Sequence, residues 1–167
     1  MIAFSHYDTS LLLQALLRTI ILSVGGGLMG VAGAVILTAL RLSGGKVLLP
    51  LRLLAVAYVQ IIRRIPFIVT LYIVFFCTGM AGVDVSATVV AIGSIGLIAA
   101  AYLSEILHGG ILTVPVEQVE AALTLDLPLW ARWRYVIVPQ ATSAVLPPAI
   151  GYLVLFIKDT ALASQIG

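Results

Sequence analysis

The chain has 167 residues, of which 62% are hydrophobic and 10% charged, with a formal net charge of +2. A soluble domain usually carries about 25% charged residues, so water alone cannot cover this surface and lipid must cover much of it. So small a net charge gives no argument for nucleic acid, and a lone cysteine, Cys77, excludes an intrachain disulfide.

In chain order, Met1 to Ser10 holds His6 and Asp8 and no basic n-region, which argues against a signal peptide. Four stretches then approach the roughly 20 apolar residues that cross a bilayer: 19–40, beginning as early as Leu11, then 65–83, 85–104 and 135–157. Lipid offers backbone groups no water, so each stretch is expected to be a helix and the fold an all-α, polytopic membrane domain over residues 1–167. Gly26, Gly30 and Ala34 form a small-residue face on the first stretch, suited to close packing on another helix, of a second subunit or of this chain. Residues 46–64 are apolar but carry Pro50 and Arg52 and end in Arg63-Arg64. They predict a helix near the membrane surface or leading into the second span. Residues 78–84, Gly79 and Gly82 among them, supply the turn between the second and third spans.

Basic residues set the expected orientation. Arg41, Lys46, Arg52, Arg63 and Arg64 fall between spans one and two, and Arg132 and Arg134 precede span four. Positive loops stay in the cytoplasm. The N-terminus is then outside, residues 105–134 form a cytoplasmic segment, and Arg18 and Lys158 mark outer span ends.

Several motifs lead nowhere. Leu42-Ser43-Gly44-Gly45-Lys46 looks like an ABC ATPase signature loop, but no phosphate-binding G-x-x-x-x-G-K-[ST] accompanies it. His6, His108 and Cys77 lack metal-ligand spacing, and no G-x-S-x-G elbow is present. Enzyme chemistry, a catalytic residue, a cofactor and a metal are therefore not expected.

Residues 116–125 predict a short helix after Pro115, with Ala121 and Ala122 as a docking face without bulk. Asp126 breaks that helix and could cap the next one, which starts near Pro128. Glu120-Ala121-Ala122, then Asp126, then Val136-Ile137-Val138-Pro139 resemble the E-A-A, glycine and I-x-L-P loop of the permease subunits of binding-protein-dependent ABC importers. Further motifs resemble the polar amino acid branch, the histidine, glutamine and arginine type. They are Arg63-Arg64-Ile65-Pro66, Glu105 to Ile111, Pro139-Gln140-Ala141, Leu146-Pro147-Pro148 and Lys158-Asp159-Thr160-Ala161-Leu162.

That resemblance implies a type I ABC importer permease fold in a bacterial inner membrane. It implies two permease subunits, the same or related, forming a pore, separate ATPase subunits that alone bind ATP, and an extracytoplasmic solute-binding protein. Glu120, Ala121, Ala122 and Asp126 would couple to the ATPase. Lys158 and Asp159 would lie on the solute path, with Lys158 meeting a solute carboxylate; pairing of Lys158 with Asp159, or snorkelling, is the plainer alternative. The chain departs from the family at Asp126, where glycine is usual, and at Arg64 and Ile65. It also stops at Gly167, before the further transmembrane helix that the family carries. A degenerate or truncated subunit that does not transport is the competing expectation.

Overall fold

The computed structural model describes residues 6–166; Met1 to Ser5, part of the stretch read above for a signal peptide, lie outside them. The described chain is helical in every regular element. α1 is His6–Leu42, α2 Leu49–Ile62, α3 Phe67–Met80, α4 Ala87–Leu112, α5 Val116–Thr124 and α6 Leu129–Arg132. A π-helical stretch, Trp133–Ile137, leads into α7, Val138–Asp159, and a 3-10 helix, Thr160–Gln165, follows. The widened turn precedes Pro139, which has no N–H to offer the carbonyl one turn back.

The central seam is α1 on α4. Gly26 lies against Ile95, Gly30 against Ala99 and Gly33 against Ala100. One turn further, Thr38 donates to the Ser104 hydroxyl at 3.2 Å, and Arg41 meets Glu105 at 2.8 Å. Small residues on α1 let the two backbones approach, so the small-residue face is spent within this chain rather than on a second subunit.

The order of these contacts makes α1 and α4 parallel, and that decides the topology. Helices α1 and α4 are each long and apolar enough to cross a membrane, as is the run Leu129–Gln165, whereas α2 and α3 qualify only together and bend by 115° at their break. Two parallel spans require the chain to return across the bilayer between them. Helix α3, 14 residues long, covers only about 21 Å at 1.5 Å per residue, so its flanking residues complete the crossing. The second span is thus shorter in helix than 65–83. Pro66 sets φ at −58° with ψ at 144°, outside the helical region, and the helix starts after it. At the other end Gly82, with φ +68°, closes α3: Val83 N–H bonds Thr78 O at 3.1 Å and Gly82 N–H bonds Gly79 O at 3.1 Å. This is the double bond of a Schellman cap, which needs a left-handed residue at that point. Ser86 then caps α4, its hydroxyl accepting from Val89 N–H at 3.4 Å.

Helix α7 runs antiparallel to α4. Val145 lies against Gly110, Tyr152 stacks on Tyr102 with centroids 5.0 Å apart, and Phe156 reaches Gly26. Leu22, Leu71, Ala91, Ile95, Ala99, Phe156 and Ala163 form the core of the bundle.

Candidate functional site

Two regions hold the residues singled out by sequence. The first follows α4. Thr113 caps α4 and Pro115 opens α5, whose Glu117, Glu120 and Ala121 are exposed. Ala122 is 3% exposed: it faces into the chain, where α5 packs on α6 and the π-helical stretch. Of the two alanines expected to offer a docking face, only Ala121 is open. Leu123, Leu125, Leu129 and Trp130 are exposed around it.

Helix α5 ends in a second Schellman cap. Leu127 N–H bonds Ala122 O at 3.2 Å and Asp126 N–H bonds Leu123 O at 3.0 Å, with Asp126 at φ 49°. That is where glycine usually stands, and Asp tolerates the left-handed region better than most residues. The capping role expected of Asp126 for the next helix is not found: Pro128 is the N-cap of α6 and no side chain bonds there. The substitution of glycine therefore keeps the turn, which removes one ground for a degenerate subunit. Asp126→Gly should raise unfolding stability by about 1 kcal/mol, the cost of a left-handed non-glycine residue. Thermal unfolding of the detergent-solubilised protein measures it, and an unchanged or lowered midpoint contradicts the account.

The second region is the end of α7. Lys158 is exposed and Asp159 half-buried. Among the described residues Lys158 forms no ion pair with Asp159; the two ion pairs are Arg41–Glu105 and Arg63–Glu105. Its level follows from packing. Phe156 is level with Gly26 and Ile95, and Ile95 lies about 15 Å along α4 from Glu105. The part of α4 from Ala87 to Glu105 is about 27 Å long. Lys158 therefore lies between the levels of Ala87 and Glu105 on α4 rather than beyond either of them. Beyond it Thr160 and Ala163 are buried against the bundle. Residues 135–157 read as one complete span, and within that run it is Val145, not the first turn, that lies against Gly110, more than a turn past Glu105 on α4.

Sequence reasoning used Arg41, Arg63 and Glu105 only as orientation and motif residues, and missed that they meet. Glu105 Oε2 and Oε1 lie 2.8 Å from Arg41 and 3.2 Å from Arg63. Arg41 also donates to Ser104 Oγ at 3.4 Å. Helix α4 runs two turns past residue 104, where the third span was expected to end, so Glu105 belongs to that helix. No group of three or more His, Cys, Asp or Glu side chains comes together as metal ligands among the described residues.

Comparison with known proteins accords with this arrangement. Residues 30–167 match the family described as binding-protein-dependent transport system inner membrane component. The chain is 36% identical over 135 residues to a probable amino-acid ABC transporter permease protein, YckA, of Bacillus subtilis, covering 81% of this chain and 60% of that protein. It is 35% identical over 148 residues to the L-cystine transport system permease protein TcyB of the same organism, covering 89% and 62%. A putative glutamine transport system permease protein, GlnP, of Rickettsia prowazekii is 30% identical over 157 residues, covering 93% and 71%. The chain thus spans about three fifths of the length of the first two. A crystal structure of an amino acid ABC transporter with histidines superposes with a TM-score of 0.84 at 29% identity, covering 95% of this chain and 73% of that one. The all-helical bundle, its several crossings and these matches together make the chain a member of the family of inner-membrane components of binding-protein-dependent transport systems.

Proposed function

We propose that the chain is the permease subunit of an ATP-driven importer, carrying amino acids or related small polar solutes across the inner membrane. The observation that carries this reading is α5, a nine-residue helix that leaves the end of a membrane-spanning helix and presents Glu120 and Ala121 outward. The kinds of protein named among the relatives, permeases for amino acids, cystine and glutamine, support it. ATP is bound and hydrolysed by separate ATPase subunits that dock on α5. Residues 105–134 form the coupling segment, in which Glu120 and Ala121 make the contact while Ala122 and Asp126 shape the helix. A second permease subunit, the same or related, completes the pore. A solute-binding protein delivers the solute from outside, and Lys158 and Asp159 lie on its path.

Transport tests the proposal. Proteoliposomes holding the permease, its ATPase and its binding protein should accumulate a labelled amino acid when ATP is supplied. Ala121→Asp should insert normally but lose the ATPase on co-purification, because an unpaired charge at a closed contact costs about 3–5 kcal/mol. Full recovery of the ATPase with this variant would remove α5 from the contact.

The cytoplasm lies on the side of Arg41, Glu105 and α5, as the distribution of basic residues supports. In a Cys77→Ser background, Asp84→Cys should react with an impermeant thiol reagent added outside intact cells, and Gln118→Cys should not. The opposite pattern inverts the orientation. Asp84 serves better than Gly82, whose positive φ makes any side chain there strained.

A further inference from the structure

Three elements meet on one carboxylate. Glu105 stands two turns before the end of α4. It holds Arg41, from the last turn of α1, at 2.8 Å and Arg63, which caps α2 at the 115° break, at 3.2 Å. The Arg41 side chain is 6% exposed, whereas Glu105 and Arg63 are each 33% exposed, so the pair with Arg41 is shielded from water and the pair with Arg63 is partly screened. Helix α4 grips Arg63 a second time. Tyr102 O–H donates to the Arg63 carbonyl at 3.1 Å, and the Arg63 guanidinium lies 5.5 Å above the Tyr102 ring. Backbone and side chain of the residue at the break are thus both held by the helix that continues, through Thr113 and Pro115, into α5.

The charge count gives the cluster its meaning. Two guanidinium groups share one carboxylate, so without Glu105 the last turn of α1 and the start of the break would repel each other. With it they are tied at one point of α4. Apolar helix contacts can slide past one another, whereas a paired guanidinium and carboxylate hold one register.

We infer that Glu105 is a positioning residue of the transport cycle: its carboxylate ties α1 and the α2–α3 break to the end of α4 that bears α5, so a displacement of α5 moves these elements together. The inference rests on the proposed function. It assigns to the Arg41–Glu105–Arg63 cluster a polar tie between the α5 end of α4 and the α2–α3 break, in addition to the apolar packing of α3 on α4 around Leu71. Arg41 and the glycine seam keep α1 on α4 whatever happens at Arg63, so Arg63 is the position at which transmission can be cut while the bundle stays intact.

The test uses the assembled complex in proteoliposomes, with basal ATPase activity, ATPase activity stimulated by loaded binding protein, and uptake measured together. Arg63→Gln should co-purify with the ATPase and keep wild-type basal activity, while stimulation and uptake fall at least fivefold. Arg63→Lys, which restores the charge without the planar fork, should recover at least half of the loss. Stimulation and uptake within twofold of wild type in Arg63→Gln, or a loss that Arg63→Lys does not reduce, overturns the inference. Should Arg63→Gln fail to assemble, Tyr102→Phe removes only the bond to the Arg63 carbonyl. It is then judged by stimulation against basal activity: a selective fall in stimulation supports the tie, and an unchanged ratio overturns it. A wild-type complex without stimulation or uptake overturns the transport reading and this inference with it; an active wild type beside an equally active Arg63→Gln overturns this inference alone.

Discussion

Gly30→Leu is expected to pull α1 away from α4 and to cost the bundle most of its stability. A Cβ at residue 30 would overlap the side chain of Ala99 and come within 3.3 Å of the Ala99 carbonyl carbon and 3.4 Å of the Ala100 nitrogen. Backbone atoms cannot swing aside as a side-chain tip can, so the helices must separate. Overpacking by a methylene or two costs about 1–3 kcal/mol; Gly30→Ala should fall in that range and Gly30→Leu above it. Gly26 and Gly33 lie in the same seam, with Ile95 Cβ 2.8 Å and Ala100 Cβ 2.7 Å from where their own Cβ atoms would be. Separation at one point therefore loosens the others. Gly93, on α4 but with open space around it, is the internal control, and Gly93→Ala should be neutral or slightly stabilising. Thermal unfolding in detergent, followed by tryptophan fluorescence and by size exclusion, reads the difference. A Gly30→Leu protein as stable as Gly93→Ala would show that the seam does not hold the fold.

The spans were legible because lipid leaves a chain so few options. Apolar runs of this length must be helices, and helices α1, α4 and α7 lie where the runs are. The turn at 78–84 was legible through Gly82, since a left-handed residue is what a Schellman cap needs. Asp126 belongs to the same physics: it stands where the resembling family usually carries glycine, and φ is 49°. What the sequence concealed was register between distant residues. Arg41 and Arg63 each read as a positive charge near a membrane surface, and nothing local says that both turn toward Glu105. The small-residue face of α1 likewise left its partner open, since Gly26 and Gly30 fit any helix with small side chains opposite. Ala122 was concealed for a related reason. On a nine-residue helix two adjacent alanines point to different sides, and only the packing of α5 on α6 decides which is covered. The level of Lys158 relative to α4 was concealed as well. An apolar run shows its length but not its vertical offset, and the offset of α7 is set by contacts of Val145, Tyr152 and Phe156 with other helices.

That level leads to the second large effect. Lys158→Met should lower uptake of a carboxylate-bearing solute at least tenfold and leave insertion in the membrane unchanged. A solute carboxylate that leaves water part-way across the bilayer loses its hydration, and an ammonium group about 4 Å away returns about 4 kcal/mol at an effective dielectric near 20. Tenfold corresponds to about 1.4 kcal/mol, so even a minority of that interaction is visible. Lys158 is free for the role: it is exposed, pairs with no acid among the described residues, and lies too far from Glu105 to anchor α7 at that end of the bundle. Methionine keeps the length and helix preference of lysine, so the variant removes charge and little else. Lys158→Arg should keep part of the activity. An amidated analogue of the solute, which has no carboxylate to compensate, should be carried equally by wild type and Lys158→Met. The affinity of the binding protein for the amide, measured alongside, separates poor delivery from poor passage. The measurement is initial uptake rate in proteoliposomes that contain the permease, its ATPase and its binding protein. Equal rates for Lys158→Met and wild type with the carboxylate solute would end the assignment of Lys158 to the solute path, and a lysine at that level would then need another partner.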